Sequence, residues 1–156
     1  MKKSIFAAAA IGLMLFGACK KTDTNNTASG NAGGTWTFKS INYQAPGCDT
    51  TVGTLVANVA SGTGELAVDF YNTPSATAGT FTVIKGNNTP ANASQVEVGI
   101  TDVNGTYYIS TGYHSPTVSA TTSGGKLSVT GTGIELVNLN NPSDSASLTF
   151  TINQTD

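Results

Sequence analysis

One histidine, two cysteines and nine acidic residues are the whole inventory from which this chain could build acid–base, nucleophilic or metal chemistry. His114 sits in Thr111-Gly112-Tyr113-His114-Ser115, and a Ser–His–acid set would need three residues from distant points to converge on it. No nucleophile elbow and no HExxH spacing is present. His114 therefore reads as an exposed loop residue. One histidine with one cysteine beyond Cys19 is a thin metal-ligand set, so neither a metal site nor a cofactor is expected. Cys48, in Pro46-Gly47-Cys48-Asp49, has no basic residue close in sequence to lower its pKa and reads as an inert thiol. Glu65 and Asp69 share one face of an alternating stretch, with Ala67 between them. Paired carboxylates can cleave glycosidic bonds, but that needs a cleft and a raised pKa on one partner, so a polar strand face is the simpler account. The aromatic residues offer more. Trp36 reads as core, whereas Tyr71, Tyr108 and Tyr113 fall off the inward parity or in loops. Exposed tyrosines stack on sugar rings or on partner proteins, which makes these three the candidate ligand surface.

The elements that would position such a surface begin with residues to be discarded. Lys2 and Lys3 form a positive start, Ile5 to Phe16 an apolar run, and Gly17-Ala18 a small-residue cleavage site before Cys19. These are the three parts of a secretory signal, helical and too short to span a bilayer, which takes about 20 apolar residues. A cysteine directly after the small pair changes the expectation from free secretion to lipidation, with cleavage between Ala18 and Cys19. Leu15-Phe16-Gly17-Ala18-Cys19 resembles the lipobox of the bacterial lipoprotein signal family, with Phe16 at the usual Leu position and Leu15 one place early. The resemblance implies a diacylglycerol on the Cys19 thiol and a further acyl chain on its new amino end. Two or more chains give stable anchoring where one gives only marginal binding. The Ala18-Cys19-Lys20-Lys21 start is similar to small lipoproteins of Bacteroidota-type envelopes, and implies a lipid-anchored place in the cell envelope, at the outer membrane, facing either periplasm or surface. In the same group Asp-Ser/Thr followed by a small or apolar residue or Thr is an O-glycosylation pattern. Asp49-Thr50-Thr51 and Asp144-Ser145-Ala146 resemble it, making Thr50 and Ser145 candidate sites.

Composition excludes other partners. Loss of Lys2 and Lys3 with the signal reduces the seven basic residues to five, all lysine, against nine acids, formally −4. A mildly acidic chain with no arginine and no basic patch is a poor binder of nucleic acid or anionic lipid heads, so the lipid must do the anchoring. With 10% charged residues, the chain is dominated by Thr, Gly, Ala, Ser and Asn, which favour strands and turns.

Three segments follow: the signal peptide over 1–18, a flexible polar tether over 19–33 with no large apolar group, and one all-β domain over 34–156. Trp36 and Phe38 alternate with polar neighbours, and Ile41 and Tyr43 then switch parity, which predicts a bulge. Strands are predicted over 50–59, 65–71, 80–84 and 95–101. Asn104-Gly105 should turn the last of these into an antiparallel hairpin with 106–111. The Asp102-x-Asn104-Gly105 spacing opens like a calcium loop but lacks the closing bidentate glutamate, so it too reads as a turn. Short strands at Val118, Leu127 to Val129, Ile134 to Leu139 and Leu148 to Ile152 complete the pattern, with Gly131 and Gly133 marking an interruption. Nine or ten strands with no helical period predict an antiparallel β-sandwich. Gly34-Thr35-Trp36-Thr37-Phe38 is similar to the opening strand of lipocalin-like domains, which implies the alternative of a closed barrel carrying a small apolar ligand behind Trp36. From the residues alone, the expected function is a non-enzymatic binding or structural module of the envelope, with a glycan or an envelope protein as partner. A glycan-active enzyme is the third reading.

Overall fold

The computed structural model describes residues 32–51, 53–59, 62–71 and 77–155. The signal peptide, the Ala18–Cys19 cleavage and lipidation site, and the tether up to residue 31 lie outside them. Eleven strands form one mixed sheet. They are β1 (Gly34–Phe38), β2 (Ile41–Ala45), β3 (Gly47–Thr51), β4 (Thr54–Asn58), β5 (Glu65–Phe70), β6 (Gly79–Val83), β7 (Gln95–Thr101), β8 (Tyr107–Ser110), β9 (Thr117–Ser123), β10 (Lys126–Asn138) and β11 (Asn141–Asn153). Their order is β2-β1-β11-β10-β9-β6-β7-β5-β4-β3, and β8 bridges β7 and the C-terminal part of β10. All pairings are antiparallel except the short β6–β7 contact.

Four local features depart from the expected strands, each for a visible reason. The parity switch after Phe38 is a β1–β2 hairpin, turned by Lys39 and Ser40, both at positive φ (49° and 63°). The stretch 50–59 is not one strand: Gly53, at φ 86°, folds it into the β3–β4 hairpin. Gly131 and Gly133 do not end a strand. A bulge between Gly131 and Ile134 lets β10 run on for 13 residues. Pro142 sits at the start of β11, where a missing N–H is tolerated, so the closing strand begins far earlier than Leu148.

Alternation does the rest. Trp36, Phe38, Leu66, Val68, Val96, Val98, Val129, Ile134, Leu148 and Phe150 point to one side of their strands and join a single buried cluster. A sheet with one buried face and one core must coil so that its two halves face each other, which is the sandwich arrangement in a single sheet. Each buried Leu, Ile or Phe contributes roughly 1.5–3 kcal/mol. Trp36 stacks on Tyr43 at 5.1 Å between centroids and Phe38 meets Tyr108 edge-on at 4.8 Å. The first stack leaves Trp36 Nε1 buried with no hydrogen-bond partner among the described residues, a desolvation cost that the packing must offset.

The coil stops short of a barrel. The two ends of the strand order, β2 and β3, are joined in sequence by Pro46 alone, yet they form no ladder among the described residues. The C-terminal residues run beside β3 instead, where Thr155 N–H donates to Cys48 O at 2.9 Å. A lipocalin-like closed barrel is therefore not what this sequence builds. The side that would have lined its cavity holds the Trp36–Tyr43 stack.

Candidate functional site

Three places concentrate chemistry. The first is the loop between β8 and β9. Thr111 N–H donates to Glu135 O at 3.0 Å, Tyr113 N–H to Thr111 Oγ1 at 3.1 Å, Ser115 N–H to Gly112 O at 3.2 Å, and Val83 N–H to Pro116 O at 2.8 Å. Gly112 lies so close to the Lys85 backbone nitrogen that a Cβ would stand 2.7 Å from it. The loop is pinned at both ends and along its floor. At its tip Gly112, His114 and Ser115 all have positive φ, a conformation that costs His and Ser about 1–2 kcal/mol each. Tyr113 projects from this tip 63% exposed, its ring against that of His114 at 3.8 Å. The loop is thus strained and tied down, and it holds an aromatic ring in water.

The second place lies between the β1–β2 turn and the start of β11. Lys39 Nζ donates to Tyr108 Oη at 2.7 Å and pairs with Asp144, Tyr108 Oη donates to Asp144 Oδ2 at 2.8 Å, and Asn138 Nδ2 reaches the same oxygen at 3.3 Å. Lys39 Nζ also stands 4.5 Å from the centre of the Tyr108 ring. The Asp144 hydrogen bond, then that of Tyr108, holds the Lys39 ammonium above its ordinary pKa. The Lys39 hydrogen bond holds Asp144 below its own. Burial pushes the Tyr108 hydroxyl up, against the Lys39 hydrogen bond. All three move away from neutrality, the reverse of what general acid–base catalysis needs. This is a latch between distant segments.

The third place is the outer face of β5, β7 and β8. Asp69 and Glu97 are directly opposite across the β5–β7 pair. Thr54 Oγ1 donates to Asp69 Oδ1 at 2.8 Å, and Asn87 N–H to Glu97 Oε1 at 3.0 Å. Burial raises the Glu65 and Glu97 carboxyls above the usual range, with Asp69 adding to the rise at Glu97. Tyr107 lies across Gly99, where a Cβ would stand 2.8 Å from its hydroxyl. Burial, and then Glu97, Glu65 and Asp69, push that hydroxyl to about 12.

Of the three candidate tyrosines, only Tyr113 is a surface ring. Tyr71 is half-buried in the turn after β5. Tyr108 is 2% exposed, so its placement off the inward parity is corrected. Along β8 the usual alternation fails because both faces are covered. The core takes Tyr108, and the backbone of Gly86 lies against Ile109, where a Cβ at Gly86 would stand 2.4 Å from the Ile109 Cβ. Thr50 is half-buried on β3 and its hydroxyl accepts from Gln154 Nε2 at 3.2 Å, while Ser145 is exposed on β11 beside the latched Asp144. Cys48 is buried in the core. Asp102 holds its own turn, accepting from Asn104 N–H at 2.8 Å and Thr106 N–H at 2.9 Å. Among the described residues no three His, Cys, Asp or Glu side chains are grouped to hold a metal ion. Lys39, Glu97 and Tyr107 were not legible as site residues, because each acquires its neighbours only through strand pairing.

Comparison with protein-family models, curated proteins and solved structures finds no match to this chain.

Proposed function

We propose that this chain is a lipid-anchored protein of the cell envelope whose β domain binds an envelope glycan, without catalysis, through the Tyr113–His114 loop. The observation that carries the binding role is the strained, hydrogen-bonded loop that keeps Tyr113 in water. The anchor rests on Leu15 to Cys19 and on the polar stretch between Cys19 and β1. Two measurements test the proposal. Expression with the native signal should give a membrane-bound, acylated protein beginning at Cys19, and Cys19→Ala should abolish all three properties. Wild-type protein should be retained on cell-envelope polysaccharide, and Tyr113→Ala should lose that retention while folding normally. Retention equal in both proteins would remove Tyr113 from the site.

A second reading, glycan cleavage, has one observation in its favour. An opposed pair of carboxylates on neighbouring strands, one of them with a raised pKa, is the kind of arrangement from which such chemistry starts. Asp69 and Glu97 are such a pair, with Glu97 shifted toward an acid's role. Release of reducing ends from envelope polysaccharide by wild type, absent in Glu97→Gln, is the result that would establish it.

A further inference from the structure

The segment that follows β6 runs beside the Tyr113 loop and is bonded to both its ends. Val83 N–H donates to Pro116 O at 2.8 Å, Gly86 N–H to Ser110 O at 2.7 Å, and Ser110 Oγ to Ile84 O at 2.6 Å. Between these bonds the two backbones touch: a Cβ on Gly112 would stand 2.7 Å from Lys85 N and 3.4 Å from Lys85 Cα. Lys85 is therefore fixed against the residue that precedes Tyr113, and Lys85, Tyr113 and His114 are all exposed. The three lysines among the described residues differ in what they hold. Lys39 pairs with Asp144 and Lys126 donates to Thr155 O, whereas the Lys85 ammonium has no ion-pair or hydrogen-bond partner among the described residues. The nearby acids are engaged at the root of the two segments. Thr111 N–H and Oγ1 donate to Glu135 O at 3.0 Å and Glu135 Oε2 at 3.4 Å, and Asn87 N–H donates to Glu97 Oε1 at 3.0 Å. No acidic residue occurs from 84 to 96 or from 103 to 134. The packed segments 83–88 and 111–116 thus carry a free ammonium, an imidazole and a phenol ring, and no carboxylate.

We infer that Lys85 is the charge-reading residue of the Tyr113 site and that the glycan taken there is acidic, a polymer of carboxylate-bearing sugars with one ring on Tyr113 and a carboxylate paired with the Lys85 ammonium. The inference rests on the proposed glycan-binding role and deepens it. Stacking accepts any sugar ring with an apolar face, so Tyr113 alone sets no preference. A cation on a flexible four-carbon stem adds one. The chain as a whole is negative and repels an acidic polymer, so such a polymer binds only where carboxylates are missing and a cation is free. An exposed ion pair is weak, so Lys85 supplies selection rather than most of the affinity. Repeated carboxylates along one polymer raise the effective concentration of ligand and make a weak site measurable.

Biolayer interferometry tests it, with full-length protein expressed from its native signal and held in nonionic detergent. The immobilised polymers are polygalacturonate, alginate and hyaluronan, each beside its carboxyl-reduced, uncharged form. At least one acidic polymer should bind the wild type more tightly than its reduced form does. Raising salt from about 50 to about 500 mM should weaken binding of the acidic polymer alone, by about threefold or more. Lys85→Gln should weaken acidic binding about threefold to fivefold and leave reduced-polymer binding unchanged. Lys85→Arg should keep the preference, and Lys85→Glu should weaken acidic binding about tenfold or more. Lys126→Gln, the same charge change at the far end of β9, should bind like wild type. Equal binding of acidic and reduced polymers, an unchanged preference in Lys85→Gln, or the same loss in Lys126→Gln overturns the role of Lys85. If Tyr113→Ala abolishes binding in any of those cases, the Tyr113 site stands without it. If Tyr113→Ala binds like wild type, or no polymer of either kind binds, both readings fall.

Discussion

Lys39 and Asp144 stand 105 positions apart in the chain and share an ion pair, with the Tyr108 hydroxyl bonded to both. The pair explains why an unfavourable turn persists. A two-residue hairpin with both centres at positive φ favours Asn-Gly, and this one uses Lys39-Ser40. The lysine must be there to reach Asp144, whereas Ser40 contributes only its backbone strain. Ser40→Gly should therefore raise stability by about 0.5–1 kcal/mol, the relief of the left-handed conformation less the entropy of glycine. Lys39→Gly, which also relieves strain but removes the latch, should not. Urea midpoints of the two variants decide it, and a gain in both would mean that the ion pair is inconsequential.

The opposed Asp69 and Glu97 make the other electrostatic prediction. Like charges directly across a strand pair are destabilising, and Glu97 is also partly desolvated. Glu97→Gln keeps the oxygen that accepts from Asn87 and removes the charge. It should stabilise the domain at pH 7 by about 0.5 kcal/mol in urea unfolding.

The same groups set the pH dependence. Glu65 and Glu97 have folded pKa values raised above their ordinary 4.5, so their favourable contribution is complete below pH 4.5 and lost as pH rises through the raised values. Asp144 is lowered from 3.8, so its contribution is present above that pH and lost as pH falls through the lowered value. Urea midpoints should rise on acidification from pH 7 toward 4.5 and fall below 3.8. In Glu97→Gln the acid-side rise should shrink. A midpoint that declines steadily from pH 7 downward would contradict the raised carboxyls.

How far the sequence announced this depends on where each signal resides. Alternation is local, so Trp36, Val68 and Phe150 were readable as core, and Asn104-Gly105 as the turn joining β7 to β8. Pairing is not local. β5 and β7 are neighbours although β6 lies between them in sequence, so the opposition of Asp69 and Glu97 has no sequence signature. Tyr108 misled because β8 is covered on both faces, and a parity rule presumes one wet face.

Two glycines separate crowding from backbone freedom. Gly34 combines φ 109° with a Cβ position 2.1 Å from Thr151 O, the backbone of its paired strand, whereas Gly105 has φ 78° and open space around it. Gly34→Ala should cost about 3 kcal/mol or more, since neither the dihedral nor the neighbouring backbone can yield cheaply. Gly105→Ala should cost about 1 kcal/mol, the strain alone. Chemical denaturation of both variants measures the difference, and equal losses would mean that β1 and β11 shift apart freely.

Trp36 is the chain's one tryptophan and is 1% exposed, which makes it a reporter for whether the Tyr113 loop has any part in holding the fold. The native protein should emit like a shielded indole and shift to the red only when the core opens. Tyr113→Ala removes a ring that mostly faces water, so it should leave both the emission and the urea midpoint unchanged to within about 0.5 kcal/mol. Against that fixed background, loss of polysaccharide retention is loss of a contact rather than of structure. A midpoint lowered by more than about 1 kcal/mol would show instead that the Tyr113–His114 ring contact stabilises the loop, and that its strain is compensated within the fold rather than held ready for a ligand.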